Sequence, residues 1–166
     1  KATLAIAENG KPSYIRLARA KTPVFTTTAT PFEIGKPQVV YQGQHPKVGI
    51  IACGSLVYQS ILAAEALKHD GVGVSVMNLS TIKPMNESAV ADFARTVDII
   101  VTAEEHQVAG GMGSAVAEVL AKHEPKRMVF IGMQDRYGES GDPDELLKHF
   151  GFTKEGIVNR IKEELA

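Results

Sequence analysis

Three adjacent residues, Glu104, Glu105 and His106, follow the predicted buried strand Asp98 to Thr102 with Ala103 between. A carboxylate beside an imidazole can move protons near neutral pH. The end of a buried strand is also where ligands collect in open α/β sheets. The same triplet suits a hydrogen-bonded corner or an interface, and that reading is favoured, since no nucleophile or third partner can be placed beside it. Gly54-Ser55 and Gly110-Gly111-Met112-Gly113 each lie between a predicted strand and a predicted helix. Backbone N–H groups at such a helix start can bind an anion. Neither stretch fits a dinucleotide fingerprint or a P-loop, so a tight turn with close packing is the favoured alternative. Arg19 stands where a predicted strand gives way to a loop, with Lys21 close by. Its planar fork of donors suits a phosphate, and a surface ion pair fits the position equally well.

The remaining chemistry-bearing side chains read plainly. Cys53 is the one cysteine, so no internal disulfide forms, and it ends an apolar strand as a small buried hydrophobe. His45, His69, His123 and His149 fall at turns or helix ends and are expected to be solvated, as are Glu163 and Glu164. No His or Cys spacing resembles a zinc site.

The elements that must position these residues follow from pattern. Lys1 to Glu8 reads as the tail of a helix whose front lies outside the sequence, closed by Asn9-Gly10-Lys11-Pro12. Ser13 to Ala18 reads as a strand. Residues 21–38, with Thr26, Thr27, Thr28 and Thr30 among Pro23, Pro31 and Pro37, read as a linker. One helical turn is expected there near Phe32, capped by Thr30 with Pro31 and Glu33 following. Then come strands at 39–42, 48–53, 72–79, 98–102 and 126–132. Helices are expected at 56–69, from the Asn86 cap to 96, at 110–122, at 144–150 behind Asp142-Pro143, and at 154–164. Alternation of short apolar strands with helices predicts a three-layer α/β/α sandwich around a mostly parallel sheet. The strand near Val39, joined to the next by a tight turn, is expected to run antiparallel at an edge.

Composition narrows the function classes. The 166 residues carry 18 Lys and Arg against 19 Asp and Glu, a net charge of -1, which offers no electrostatic footprint for nucleic acid or an anionic membrane. No apolar run approaches the roughly 20 residues that span a bilayer. The single cysteine points to a reducing, cytoplasmic setting.

Several stretches also resemble a known family. Pro12 to Arg19 followed by Pro23 resembles the close of the pyrimidine-binding domain in transketolases. Ile51-Ala52-Cys53-Gly54-Ser55 resembles their strand-turn segment. Glu104-Glu105-His106 with Gly110-Gly111-Met112-Gly113-Ser114 is similar to a segment shared with deoxyxylulose-phosphate synthases and 2-oxo acid dehydrogenase β subunits. Tyr137 to Gly141, then Phe150 to Thr153 with Glu155-Gly156-Ile157, resembles the transketolase C-terminal signature. The resemblance implies three sections: 1–25 from the preceding domain, 26–37 as linker, and 38–166 as the C-terminal domain. It implies an enzyme that transfers a two-carbon ketol unit between sugar phosphates with thiamine diphosphate and a divalent metal. Both groups would be held by upstream parts, on the same chain or a separate subunit, with none bound here, and this section alone would be inactive. It further implies a homodimer, a phosphate-gripping role for Arg19 with a weaker supporting role for Arg16, and an interface or regulatory role near Ser55, Glu104, Glu105 and His106. A synthase or dehydrogenase subunit, and a stand-alone module binding an anion or nucleotide, are the alternatives.

Overall fold

The computed structural model of the chain describes residues 1–18 and 21–166. Its elements are α1 (Ala2–Glu8), β1 (Gln38–Tyr41), β2 (Val48–Ala52), α2 (Leu56–His69), β3 (Val74–Asn78), α3 (Glu87–Arg95), β4 (Ile99–Gln107), α4 (Met112–His123), β5 (Arg127–Met133), α5 (Pro143–His149) and α6 (Lys154–Leu165). The strands form one sheet in the order β1-β3-β2-β4-β5, parallel throughout except for β1.

Side chains alternate across a strand, and here that alternation sorts the apolar residues into two cores. Val48, Ile50 and Ala52 of β2 join Ile99, Val101 and Ala103 of β4 and Val129 and Ile131 of β5 under α2 and α6. Ile51 and Ile100 face the other way, against Val90, Phe93 and Ala94 of α3 and Val116, Val119 and Leu120 of α4. A strand covered on both faces must be apolar at every position, and all five residues of β2 are buried. Local chemistry sets the helix starts. The Asn86 side chain accepts from the Ala89 N–H at 3.1 Å. Asp142 accepts from Asp144 and Glu145 ahead of α5, with Pro143 in the first turn. Both are side-chain caps of the usual kind.

β1 is the antiparallel edge strand expected, and its neighbour is β3, because the 42–47 link steps past the start of β3. A Cβ at Gly43 would lie 2.4 Å from the Val74 carbonyl oxygen, so the backbones touch where the link crosses. Three other expectations are corrected. Ser13 to Ala18 forms no strand. It is exposed and has no ladder partner among the described residues, with Tyr14 88% and Leu17 72% exposed. The helical turn near Phe32 is absent. Thr30 Oγ1 is taken by the Thr27 N–H at 2.9 Å, and Lys36 N–H closes a separate turn on the Glu33 carbonyl at 3.1 Å. Finally, β4 runs on to Gln107, because β5 offers a partner as far as Met133, whereas β2 stops opposite Ala103.

Some solvated groups are also paired. Glu164, expected on an open helix face, is only 19% exposed at its side chain and meets Arg127 and Arg160. His123 lies 2.8 Å from Glu87 and joins α4 to α3, and that hydrogen bond holds the Glu87 carboxyl below its usual range. Gly49 shows how closely the α3 layer approaches the sheet. A Cβ there would lie 2.8 Å from the Phe93 ring and 3.0 Å from Val97. Gly49→Val should therefore overpack this face and destabilise the fold by about 1–3 kcal/mol. A urea midpoint equal to that of the wild type would contradict this packing.

Candidate functional site

From β2 the chain crosses through α2 to β3 on one side, then returns through α3 to β4 on the other side of β2. The carboxyl ends of β2 and β4 therefore part at the point where strand order reverses, where open α/β sheets leave a crevice. A cleft of about 380 Å³ lies there, lined by Cys53, Ile82, Glu104, His106, Gln107 and Met112 with the glycine loop between β4 and α4.

The period-two rule carries Ile100, Thr102 and Glu104 to the α4 face. Glu104 is 1% exposed. One of its oxygens accepts from the Met112 N–H and the other from the Gly113 N–H, both at 2.7 Å. These are orphan donors of the first turn of α4, at the positive end of the helix dipole. Charge-assisted bonds of this kind are roughly twice as strong as neutral ones. Gly111 is required by the approach. A Cβ there would lie 2.6 and 2.7 Å from the two carboxylate oxygens. The helix start that sequence offers to an anion is thus filled by the protein's own carboxylate, and the close-packed turn is what the structure contains.

His106 projects to the same side, with Nδ1 3.3 Å from Glu104 Oε2. Glu105 projects oppositely and is exposed. The triplet is therefore split: Glu104 and His106 meet, and Glu105 stands apart. Ser55 starts α2 without capping it, and its Oγ is buried with no hydrogen-bond partner among the described residues. Gly54, at φ 63°, supplies the left-handed turn before it. Arg16 is exposed and within electrostatic reach of Cys53. Arg19 lies outside the described residues. No group of three or more His, Cys, Asp or Glu side chains among the described residues converges to hold a metal ion. Sequence reading missed two working parts. One is the Glu104 cap, which strand periodicity from Ile100 would have indicated. The other is Gln107, for which no sequence signal exists.

Burial is the main cause that pushes the Cys53 thiol up, from 9.0 to about 12, followed by the negative field of Glu104, with Arg16 opposing and Glu105 adding. The thiolate is the nucleophile, so Cys53 should alkylate at neutral pH at least about a hundredfold more slowly than free cysteine. The folded thiol ionises after the unfolded one. Stability from this group is thus whole below pH 9.0 and falls as pH rises towards 12, and Cys53→Ala should flatten that decline in urea titrations. Glu104→Ala, which leaves two buried N–H groups unmet, should cost about 2–4 kcal/mol in the same assay.

Comparison with known proteins agrees with this architecture. The family described as transketolase, C-terminal domain, matches residues 37–157. A 6-deoxy-6-sulfo-D-fructose transketolase subunit of Clostridium sp. is 38% identical over 158 residues, covering 95% of this chain and 48% of that protein. A 1-deoxy-D-xylulose-5-phosphate synthase of Caldanaerobacter subterraneus is 36% identical over 152 residues, covering 90% of this chain and 24% of that protein. Among solved structures, a split gene transketolase described as an inactive beta4 tetramer superposes with a TM-score of 0.81 at 34% identity, covering 87% of this chain and 47% of that one. The chain spans half or less of the length of these relatives. With the family matched across most of the sequence, and the strand order and glycine turns in place, this chain belongs to the transketolase C-terminal domain family.

Proposed function

We propose that the chain acts as the C-terminal section of a transketolase, in an enzyme that moves a two-carbon ketol unit from a ketose phosphate to an aldose phosphate. The observation that carries this reading is the match of residues 37–157 to the family, together with relatives in which the chain is half of a transketolase subunit. Its own part is scaffolding. The described residues do not fit thiamine diphosphate or its metal: no acidic cluster is available, and the helix start at the cleft is filled by the Glu104 carboxylate, which would repel a diphosphate. The cofactor supplies the carbanion chemistry when bound to upstream parts of the enzyme. This section alone is inactive, and the cytoplasm is its setting.

Residues 1–25 serve as the end of the preceding domain and residues 26–37 as a linker. Leu4, Tyr14, Leu17 and Val24 are 67 to 89% exposed, and α1 buries no residue. Surface of that kind finds cover in a partner section. Arg19 holds the substrate phosphate there, with Arg16 in support. Pairing of subunits follows the assembly described for the split gene relative, with the exposed Glu105 and the His106 edge of the cleft at or near the interface.

The test mixes the full-length protein, wild type or Arg19→Ala, with its upstream section and thiamine diphosphate. Transfer from xylulose 5-phosphate to ribose 5-phosphate is expected only from the mixture. Loss of a charged hydrogen bond should raise KM for phosphorylated sugars about tenfold to a hundredfold in the variant, with less change in kcat. The resemblance to a deoxyxylulose-phosphate synthase favours one rival. Activity with pyruvate as donor and none with ketose phosphates would establish it instead.

A further inference from the structure

Gln107 belongs to two structures at once. It is one of the residues lining the switch-point cleft, and its side chain holds the segment that follows β5. Nε2 donates to the Arg136 carbonyl at 2.7 Å, and Oε1 accepts from the Asp135 N–H at 3.1 Å. Asp135 sits at φ 51°, in the left-handed region that aspartate visits more readily than most side-chain-bearing residues. Residues 134–142 are all exposed, and Tyr137 is 96% exposed. Among the described residues, no backbone-to-backbone hydrogen bond ties 134–141 to the domain. The other fastenings are made by side chains, among them long hydrogen bonds from Gln134 Nε2 to the Phe130 and Gly132 carbonyls at 3.4 and 3.3 Å. Arg136 lies 4.5 Å over the Phe150 ring, and His149 lies 3.0 Å from Glu139. Phe150 rests in turn on the buried Phe152.

We propose that residues 134–141 form a strap that opens as a unit, latched by Gln107, and that occupancy of the switch-point cleft controls the latch. A group entering the cleft that displaces the Gln107 amide interacts differently with the latched and open forms, which is the requirement for it to shift their populations. Release removes both hydrogen bonds together, since one side chain makes them, and it frees Asp135 from its left-handed turn. The strap has few buried contacts and exposed polar fastenings, the features of a segment that opens below the global unfolding free energy. The inference rests on this geometry and is independent of the catalytic role of the parent enzyme.

The experiment is limited trypsin digestion of the full-length protein, following cleavage of the Arg136–Tyr137 bond by mass spectrometry. With slow cutting, the rate tracks the open population. Gln107→Ala should raise it about tenfold. Gln107→Glu keeps the acceptor for Asp135 and loses the donor to Arg136, so a smaller rise is expected. Ala109→Trp places an indole in the cleft with Gln107 intact and should also speed cutting. Cleavage after Lys68 in α2 reports global unfolding and should stay at the wild-type rate throughout. A wild-type rate in Gln107→Ala, or strap cleavage that rises only in step with cleavage after Lys68, overturns the latch. No effect of Ala109→Trp overturns the control by the cleft.

Discussion

The two hydrogen bonds from Met112 and Gly113 to the buried Glu104 carboxylate fasten the first turn of α4 to the carboxyl end of β4. Much of the region follows from that contact. The oxygens need room, which leaves position 111 to glycine. They draw His106 to the same side at 3.3 Å. They add a negative field that, after burial, keeps the Cys53 thiol protonated. They also occupy the positive end of a helix that in other α/β proteins cradles phosphates. A switch-point crevice is retained, while its capacity for anions is spent on holding the fold together.

The sheet explains why such a contact can be held at all. Alternation along β2, β4 and β5 divides the apolar residues between two cores, and both faces of the central strands are closed. Interiors packed to this density do not deform gradually. Glu104 is thus delivered to α4 by a rigid strand, beyond the point where β2 ends. The strap after β5 is the opposite case. It leaves the sheet edge, has every residue exposed, and is held through side-chain contacts of Gln107, Gln134, Phe150 and His149.

The first 37 residues contrast with this body. Those described, 1–18 and 21–37, are exposed along most of their length and include large, strongly exposed apolar side chains. The family match lies in residues 37–157, the part of the chain that holds the sheet and both cores.

The α/β order, the α2 boundaries, the Asn86 and Asp142 caps and the apolar strands were all legible in sequence, because each depends on periodicity or on residues within one turn. The antiparallel character of β1 was legible and its neighbour was not, since the link to β2 has the length of a turn whichever strand it passes. Ser13 to Ala18 carries strand-like alternation, but a strand exists only with a ladder partner, and the described residues supply none. Thr30 is a cap by type, and a local bond to Thr27 took its hydroxyl. Around the cleft, sequence identified the triplet Glu104-Glu105-His106 and read the glycines as turns, and the structure pairs Glu104 with His106 and leaves Glu105 apart. Only the tertiary structure decided that the carboxylate closes the helix start and that Gln107 reaches a carbonyl 29 residues away. Those are long-range contacts, selected by how strands stack in space, and no local pattern encodes them.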